Sequence, residues 1–247
     1  MNSNLSDFIQ LDAERAFEVL ADGGIALAPM DIGYSLLGGS REALGTIFTT
    51  KGRAATKLNA MVGDNTLANE LFDLTPNGRD VLTTITEHYG LPLGAIGPIH
   101  TDHPFIEGMD ATTRAASTKD NTVVLLMRAG PFHAALSRLS RQHGVPLIGS
   151  SANRSNQGTK FRVEDIEPEV LAIADIVIDH GLRKFHMYGA SSTLLNVETF
   201  EVVRYGACFE VIADVISRHF GVKLPAPKDG PVARAMANFG LGNARQP

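Results

Sequence analysis

Cysteine is all but missing from this chain: one residue, Cys208, in 247. A single thiol excludes an intrachain disulfide and any thiolate zinc cluster, which fits a reducing cytoplasm. Cys208 itself reads as a small core residue before it reads as a nucleophile. No apolar run approaches the roughly 18 residues that cross a bilayer. The start, MNSNLSDFIQ, carries no basic segment followed by an apolar stretch. These absences predict a soluble, unsecreted, cytoplasmic protein with no membrane partner. An excess of positive charge is missing too: the formal net charge is -5, which argues against coating nucleic acid by bulk electrostatics. Finally, the chain contains no G-x-x-x-x-G-K-[ST], no G-x-S-x-G, no H-E-x-x-H and no G-x-G-x-x-G after a strand. The commonest nucleotidase, hydrolase, metalloprotease and dinucleotide readings go with them. His100-x-x-His103 has metal-like spacing but no third ligand nearby, so no metal site is expected.

What is present is a globular composition, 44% hydrophobic and 20% charged, on a length sufficient for one large core or two modest ones. Ala13, Ala16, Phe17 and Leu20 keep helical spacing, with Asp12 as an N-cap and Gly23-Gly24 as the stop. Ile25 to Pro29 reads as a strand, Asp31 to Gly39 as a turn, and Ser40 as the cap of a helix that buries Ala43, Leu44, Ile47 and Phe48. Asn59 to Gly63 is a further strand; Thr66 to Phe72 and Gly78 to Tyr89 are helices; Gly90 to Pro98 is a Gly/Pro-rich passage. His100 to Asn121 shows little periodicity and predicts a loop with at most a short helix. Thr122 to Met127 and Pro146 to Gly149 read as strands around a helix from Phe132 to Gln142. Val163 to Ala174 is helical, Ile176 to Ile178 a strand, Ser192 to Val197 and Phe200 to Arg204 a strand pair, and Phe209 to Ile216 a last helix. Such mixing predicts an α/β fold with an open, twisted, mixed sheet and flanking helices, one domain over residues 1–220, with 221–247 as an appended arm.

Two short motifs stand where loops meet these elements: Lys51-Gly52-Arg53 at a helix end and Ser150-Ser151-Ala152-Asn153 after a strand. Alone, the first is a solvated helix end and the second a turn. Together they have the makings of a phosphate site. The turn offers hydroxyls, an amide and freed backbone N–H groups at a sheet edge, Lys51 offers a mobile point charge, and Arg53 a planar paired contact. From Asn121 to Val163 there is no Asp or Glu, while Arg128, Arg138, Arg141, Arg154, Lys160 and Arg162 all fall there. That local balance suits a polyanion, or is chance clustering on solvated faces.

Further segments join these two in order. Pro29-x-Asp31-x-x-Tyr34, Lys51-Gly52-Arg53 with Lys57, YGLPLGAIGP from Tyr89 to Pro98, Arg128, IGSSANRS from Ile148 to Ser155, Ser191-Ser192-Thr193 and Val203-Arg204-Tyr205-Gly206 form the set. Over residues 10 to 215 the chain resembles the Sua5/YrdC/YciO family, whose best-studied members are L-threonylcarbamoyladenylate synthases. The resemblance implies a YrdC-like domain with a large concave cavity. It implies nucleotidyltransferase chemistry in which L-threonine, bicarbonate and ATP, with Mg²⁺ held through the nucleotide, give threonylcarbamoyl-AMP and pyrophosphate for tRNA threonylcarbamoyladenosine modification. On that template Lys51 and Arg53 are the catalytic cations, and Ser151, Asn153, Arg128, Ser191 and Arg204 hold the nucleotide. Met30, Ile32, Tyr34 and Gly94 border the substrate pocket.

The departures carry information. Met30 and Ile32 stand where the family has threonines, Gly94 where it has a third, and Ala54 where it has proline. Two bulky apolar groups and one vacancy in place of three hydroxyls imply an altered acceptor, because a site built on a substrate hydroxyl discriminates strongly and loses its partners when that hydroxyl contact is gone. Ser35 or Thr101 is positioned in sequence to restore a hydroxyl. The other readings are a binding module for nucleotide, tRNA or double-stranded RNA without chemistry, and a carbamoyl-transfer enzyme.

Overall fold

Two neighbouring strands set the frame. β1 (Ile25–Met30) and β2 (Gly33–Gly38) form an antiparallel hairpin, pairing Ile25 with Gly38 through Met30 with Gly33, and every residue of both strands is buried. The turn expected over Asp31 to Gly39 is therefore confined to Asp31-Ile32, and β2 is a central strand. Gly33 and Gly38 bound its short apolar run, and burial on both faces removes the alternation that marks a half-buried strand. The computed structural model describes residues 5–52 and 58–241.

In chain order the elements are α1 (Leu5–Ala21), β1, β2, α2 (Arg41–Lys51), β3 (Ala60–Val62), α3 (Asn65–Leu71), α4 (Pro76–Thr83) and β4 (Leu93–Pro98). There follow α5 (Pro104–Glu107), α6 (Ala111–Ser117), β5 (Thr118–Lys119), β6 (Thr122–Met127), α7 (Pro131–His143) and β7 (Ile148–Ser151). The chain then makes α8 (Pro168–Leu171), β8 (Ile176–Val177), β9 (Leu194–Asn196), β10 (Val202–Arg204), α9 (Phe209–Phe220) and α10 (Gly230–Asn238). The sheet runs β10-β9-β4-β6-β3-β7-β2-β1-β8, with the short β5 paired to β6 off this path. It is mixed: β1/β8, β3/β6 and β4/β9 are parallel and the other pairs antiparallel.

Side-chain alternation divides the core into two layers. One face carries Leu27, Tyr34, Leu36, Met61, Leu93, Val123, Leu125 and Leu195, packed with α2, α3, α4 and α9 through Leu44, Ile47, Leu71, Val81 and Ile212. The other carries Ala26, Ala28, Met30, Leu37, Val62 and Leu126, packed with α1 and α7 through Ala13, Phe17, Leu20, Phe132 and Leu136. Small alanines on β1 let α1 and α7 approach the sheet closely.

Local chemistry explains most element ends. Ser40 accepts the Ala43 N–H at 3.1 Å and starts α2; Gly52, in the left-handed region at φ 56°, closes it. Gly144, at φ 67°, ends α7 in the same way. Asp12 is not the cap of α1. The helix begins at Leu5, and Asp12 lies buried within it, its Oδ2 2.9 Å from His180 Nε2. The passage from Gly90 to Pro98 contains β4, paired on both sides; its glycines are close-approach positions in a buried strand. The loop expected over His100 to Asn121 holds α5, α6 and β5, and the helix expected over Val163 to Ala174 is broken into a 3₁₀ turn at Val163–Asp165 and the one-turn α8 that starts at Pro168.

Candidate functional site

On the face carrying Ala26 and Leu37, α1 packs over β1 and α7 over β1 and part of β3, and a small cleft with the strands as its floor lies beside them. Its residues follow from the register: Ser35 lies opposite Ser151, Leu37 opposite Gly149, and Gly149 opposite Ala60. Ala60 stands beside Val124, Val62 beside Leu126, Leu126 opposite Gly94, and Gly94 beside Leu194. Ile32, Ser150, Ser191, Ser192 and Arg204 complete the rim of this first cleft. The middle is apolar and the two ends carry hydroxyls. The cleft encloses about 90 Å³, well below the roughly 300–1,000 Å³ of pockets that enclose a ligand.

Most of the sequence-predicted cation and hydroxyl residues meet here. Lys51, 2% exposed at the last turn of α2, donates through Nζ to the Ser151 carbonyl although the two are 100 positions apart. The Lys51 carbonyl accepts the Ser155 N–H at 3.0 Å, so the end of α2 is stitched to the loop after β7 from both sides. Ser151 and Ser191 line the cleft. Arg204, on the edge strand β10, donates from Nη2 and Nε to the Ser192 carbonyl at 2.8 and 3.2 Å. Asn153 is buried with its Nδ2 on the Arg154 carbonyl, and its Oδ1 has no hydrogen-bond partner among the described residues. Arg53 lies outside the described residues.

Other expected site residues are placed elsewhere. Ile32 lines the cleft, but Met30 is packed in the layer beneath α1 and α7, and Arg183 Nε donates to its carbonyl at 3.0 Å. Tyr34 points to the opposite face, where its hydroxyl donates to Asp179 Oδ1 at 2.8 Å; burial, then the neighbouring Asp179 carboxylate, push its pKa up to about 12. Gly94 does lie on the floor, yet the vacancy expected there is filled: a Cβ would stand 2.2 Å from Leu194 Cδ2. Arg128 is not on this floor. It follows β6 at φ 55° and lines a second cleft at the carboxyl ends of β1, β3 and β6. Three of the six cations between Asn121 and Val163 are ion-paired: Arg141 with Asp64, Arg154 with Glu169 and Lys160 with Glu167, at 3.2, 3.3 and 2.9 Å.

Two sets of residues escape a reading of the sequence. Ser35 and Leu37 reach the floor because β2 is a strand; the run Tyr34-Ser35-Leu36-Leu37 is its signal, masked by flanking glycines. Arg183, buried among backbone carbonyls and paired with Asp31 at 3.3 Å, carries no motif and is found only through its contacts. Burial raises the Asp31 carboxyl above the ordinary value, opposed by Arg183 and Lys184. Cys208 is buried, its thiol pushed up to about 11 chiefly by burial, so it stays protonated and unreactive. His103 caps α5, its Nδ1 accepting the Phe105 N–H at 3.2 Å.

Residues 18–206 match the model of the family Sua5/yciO/yrdC, described as "Telomere recombination". The match covers well over half of the chain, and the chain belongs to this family. Among solved structures it is similar to P. abyssi Sua5 complexed with L-threonine, at 19% identity and TM-score 0.66, covering 89% of this chain and 63% of that one. It is similar to a hypothetical protein from Streptococcus mutans UA159, at 17% identity and TM-score 0.68, covering 85% and 92%. E. coli YciO matches at 18% identity and TM-score 0.59, covering 80% and 90%. Identities this low establish a shared YrdC-like fold. The chain spans less than two thirds of the P. abyssi Sua5 chain that it matches.

Proposed function

We propose that this member of the Sua5/YciO/YrdC family binds ATP over the first cleft and forms a carbamoyl- or acyl-adenylate there, releasing pyrophosphate. The observation that carries this reading is the meeting of Lys51 with Ser151 at one end of a floor whose other end holds Ser191 and Arg204. A buried ammonium and a guanidinium flanking serine hydroxyls match the needs of a polyphosphate: charge to offset, and donors for nonbridging oxygens. Asn153 Oδ1, buried without a partner among the described residues, suits a donor on the ligand, a ribose hydroxyl or a base amine. Arg53 extends the same cationic end by sequence, and Mg²⁺ bound through the phosphates would supply further charge neutralisation. No protein nucleophile is required; positioning and charge stabilisation carry the acceleration.

The acceptor is read from the apolar centre. Ile32, Leu37, Val62 and Leu126 border it, and Ser35 is the nearest replacement for the hydroxyls lost at Met30, Ile32 and Gly94. Thr101 is exposed beyond β4 and does not line the cleft. The expected outcome is no preference for threonine over valine or alanine in pyrophosphate release with ATP, bicarbonate and each amino acid in turn. A threonine preference that Ser35→Ala abolishes would assign the lost contact to Ser35 and overturn the altered-acceptor reading. ATP binding is tested first: Arg204→Ala should weaken it about tenfold or more, the loss of charged hydrogen bonds worth about 1.5–3 kcal/mol, while exposed Arg218→Ala should not. Equal calorimetric affinities for the two variants would remove the nucleotide from this cleft.

A further inference from the structure

The second cleft is larger than the first and shares none of its lining residues. It encloses about 570 Å³, within the ordinary range for ligand pockets. Asp31 after β1, Gly63 to Thr66 after β3, Arg128 and Gly130 after β6, and Lys184-Phe185 border it. β3 and β6 run parallel, and at their carboxyl ends the strand-to-helix turns into α3 and α7 leave a crevice that Asp31, which follows the antiparallel β1, helps to border.

Its charges do not cancel. Two of its three acids are ion-paired, Asp31 with Arg183 at 3.3 Å and Asp64 Oδ2 with Arg141 Nε at 3.2 Å, while Glu87 accepts from the uncharged Asn65 Nδ2 and keeps its charge, one negative group facing the two lining cations. Asp64 Oδ1 also caps α3, accepting the Leu67 N–H at 2.8 Å. The two cations of the lining, Arg128 and Lys184, form no ion pair among the described residues. Lys184 Nζ lies 5.0 Å from the Phe185 ring centroid, a contact that holds the ammonium at the rim without neutralising it. The wall behind them adds one acceptor. His133 is 2% exposed, and its Nε2 lies 2.9 Å from the Leu126 carbonyl, which fixes the proton on Nε2 and leaves Nδ1 with a lone pair. Among the described residues the one hydroxyl near Nδ1 is that of Ser137 at 3.5 Å, and its proton goes to the His133 carbonyl at 2.7 Å.

We propose that this second cleft is a ligand site for a small molecule bearing a phosphate or carboxylate group, held by Arg128 and Lys184, with a hydroxyl or amine of the same molecule directed to His133. It is separate from the adenylate reading of the first cleft and does not depend on it. Arg128 is the discriminating contact, since its guanidinium can bind either oxyanion in a paired geometry, and Lys184 supplies charge.

The test uses the full chain at low ionic strength with inorganic phosphate and with malonate as probes, against chloride at matched ionic strength. Binding is read by calorimetry and by the shift in melting temperature. One or both oxyanions should bind, and Arg128→Ala and Lys184→Ala should each weaken binding about tenfold or more. Lys223→Ala, which removes an exposed charge elsewhere, should change it less than about twofold. Phosphate alone binding identifies a phosphate ester as the ligand class, malonate alone a carboxylic acid, and both the shared oxyanion chemistry. No binding of either probe, or binding that survives both cleft substitutions, would overturn the proposal. The readouts for the two clefts fail separately: ATP affinity is tested with Arg204→Ala, oxyanion affinity with Arg128→Ala.

Discussion

His133 shows how one residue couples the α7 turn to pH. Buried beside β6, with Asp64 and Arg128 as its charged neighbours, it has its pKa lowered to about 4, chiefly by burial and against the Leu126 carbonyl, which favours the proton. The folded value lies below the unfolded one of about 6.5. Between those two values the unfolded chain holds more protons, so stability falls as pH drops from about 6.5 to about 4, and this contribution is flat below that. About 2.5 units at about 1.4 kcal/mol each make the full loss on the order of 3 kcal/mol. Urea unfolding at pH 7 and pH 4.5 should therefore show a larger drop for the natural chain than for His133→Gln, which has no proton to gain. Equal drops would mean that His133 is solvated and the cleft wall is not closed.

Glycines separate what an element needs from what it merely tolerates. Gly45 sits on the exposed side of α2, where an added Cβ would meet nothing within 4 Å, so Gly45→Ala should stabilise the chain by up to about 1 kcal/mol through helix propensity. At Gly149, on the floor of the first cleft, the same Cβ would stand 2.1 Å from the Leu36 carbonyl oxygen, which is backbone and cannot swing aside. Gly149→Ala should cost about 1–3 kcal/mol or more, and chemical denaturation of the pair checks both signs. Elements whose signals are local are legible in the sequence: α2 through Ser40 and Gly52, α7 through its apolar face and Gly144, and β6 through its uninterrupted apolar run. β2 and β4 are not, because their glycines serve close approach, Gly33 to Thr159, Gly38 to Ala43 of α2 and Gly94 to Leu194 of β9, and a turn signal and a close-approach signal look alike in one dimension. The candidate site divides along the same line. Lys51, Ser151, Ser191 and Arg204 sit at element ends, where motifs are readable, whereas the direction of Met30 and Tyr34 depends on the β1/β2 register, which fixes faces only once the hairpin is known.

At the scale of the whole molecule, the question is whether the residues after α9 belong to the cooperative unit. Gly221 closes α9 in the left-handed region at φ 69°, and the segment beyond it returns to the body. Leu224 and Val232 are 7% and 2% exposed within the layer that carries Phe209 and Ile212, and the Phe239 ring stands edge-on to Tyr188 at 5.5 Å. Tyr188 in turn donates to Glu210 on α9. On these contacts we propose that the stretch from 221 is a docked arm whose apolar residues complete the core of the domain. Burying two such side chains contributes about 1.5–3 kcal/mol each, on the order of 3–6 kcal/mol together, against a total margin of about 5–15 kcal/mol for a domain. A chain ending at Phe220 should melt about 10 °C or more below the full chain, taking roughly 2–4 °C per kcal/mol at this size. Val232→Asp, which keeps the length and places a charge in the same layer, should move the melting temperature in the same direction. If both variants melt within about 2 °C of the full chain, the arm is an independent tail and the core closes without it.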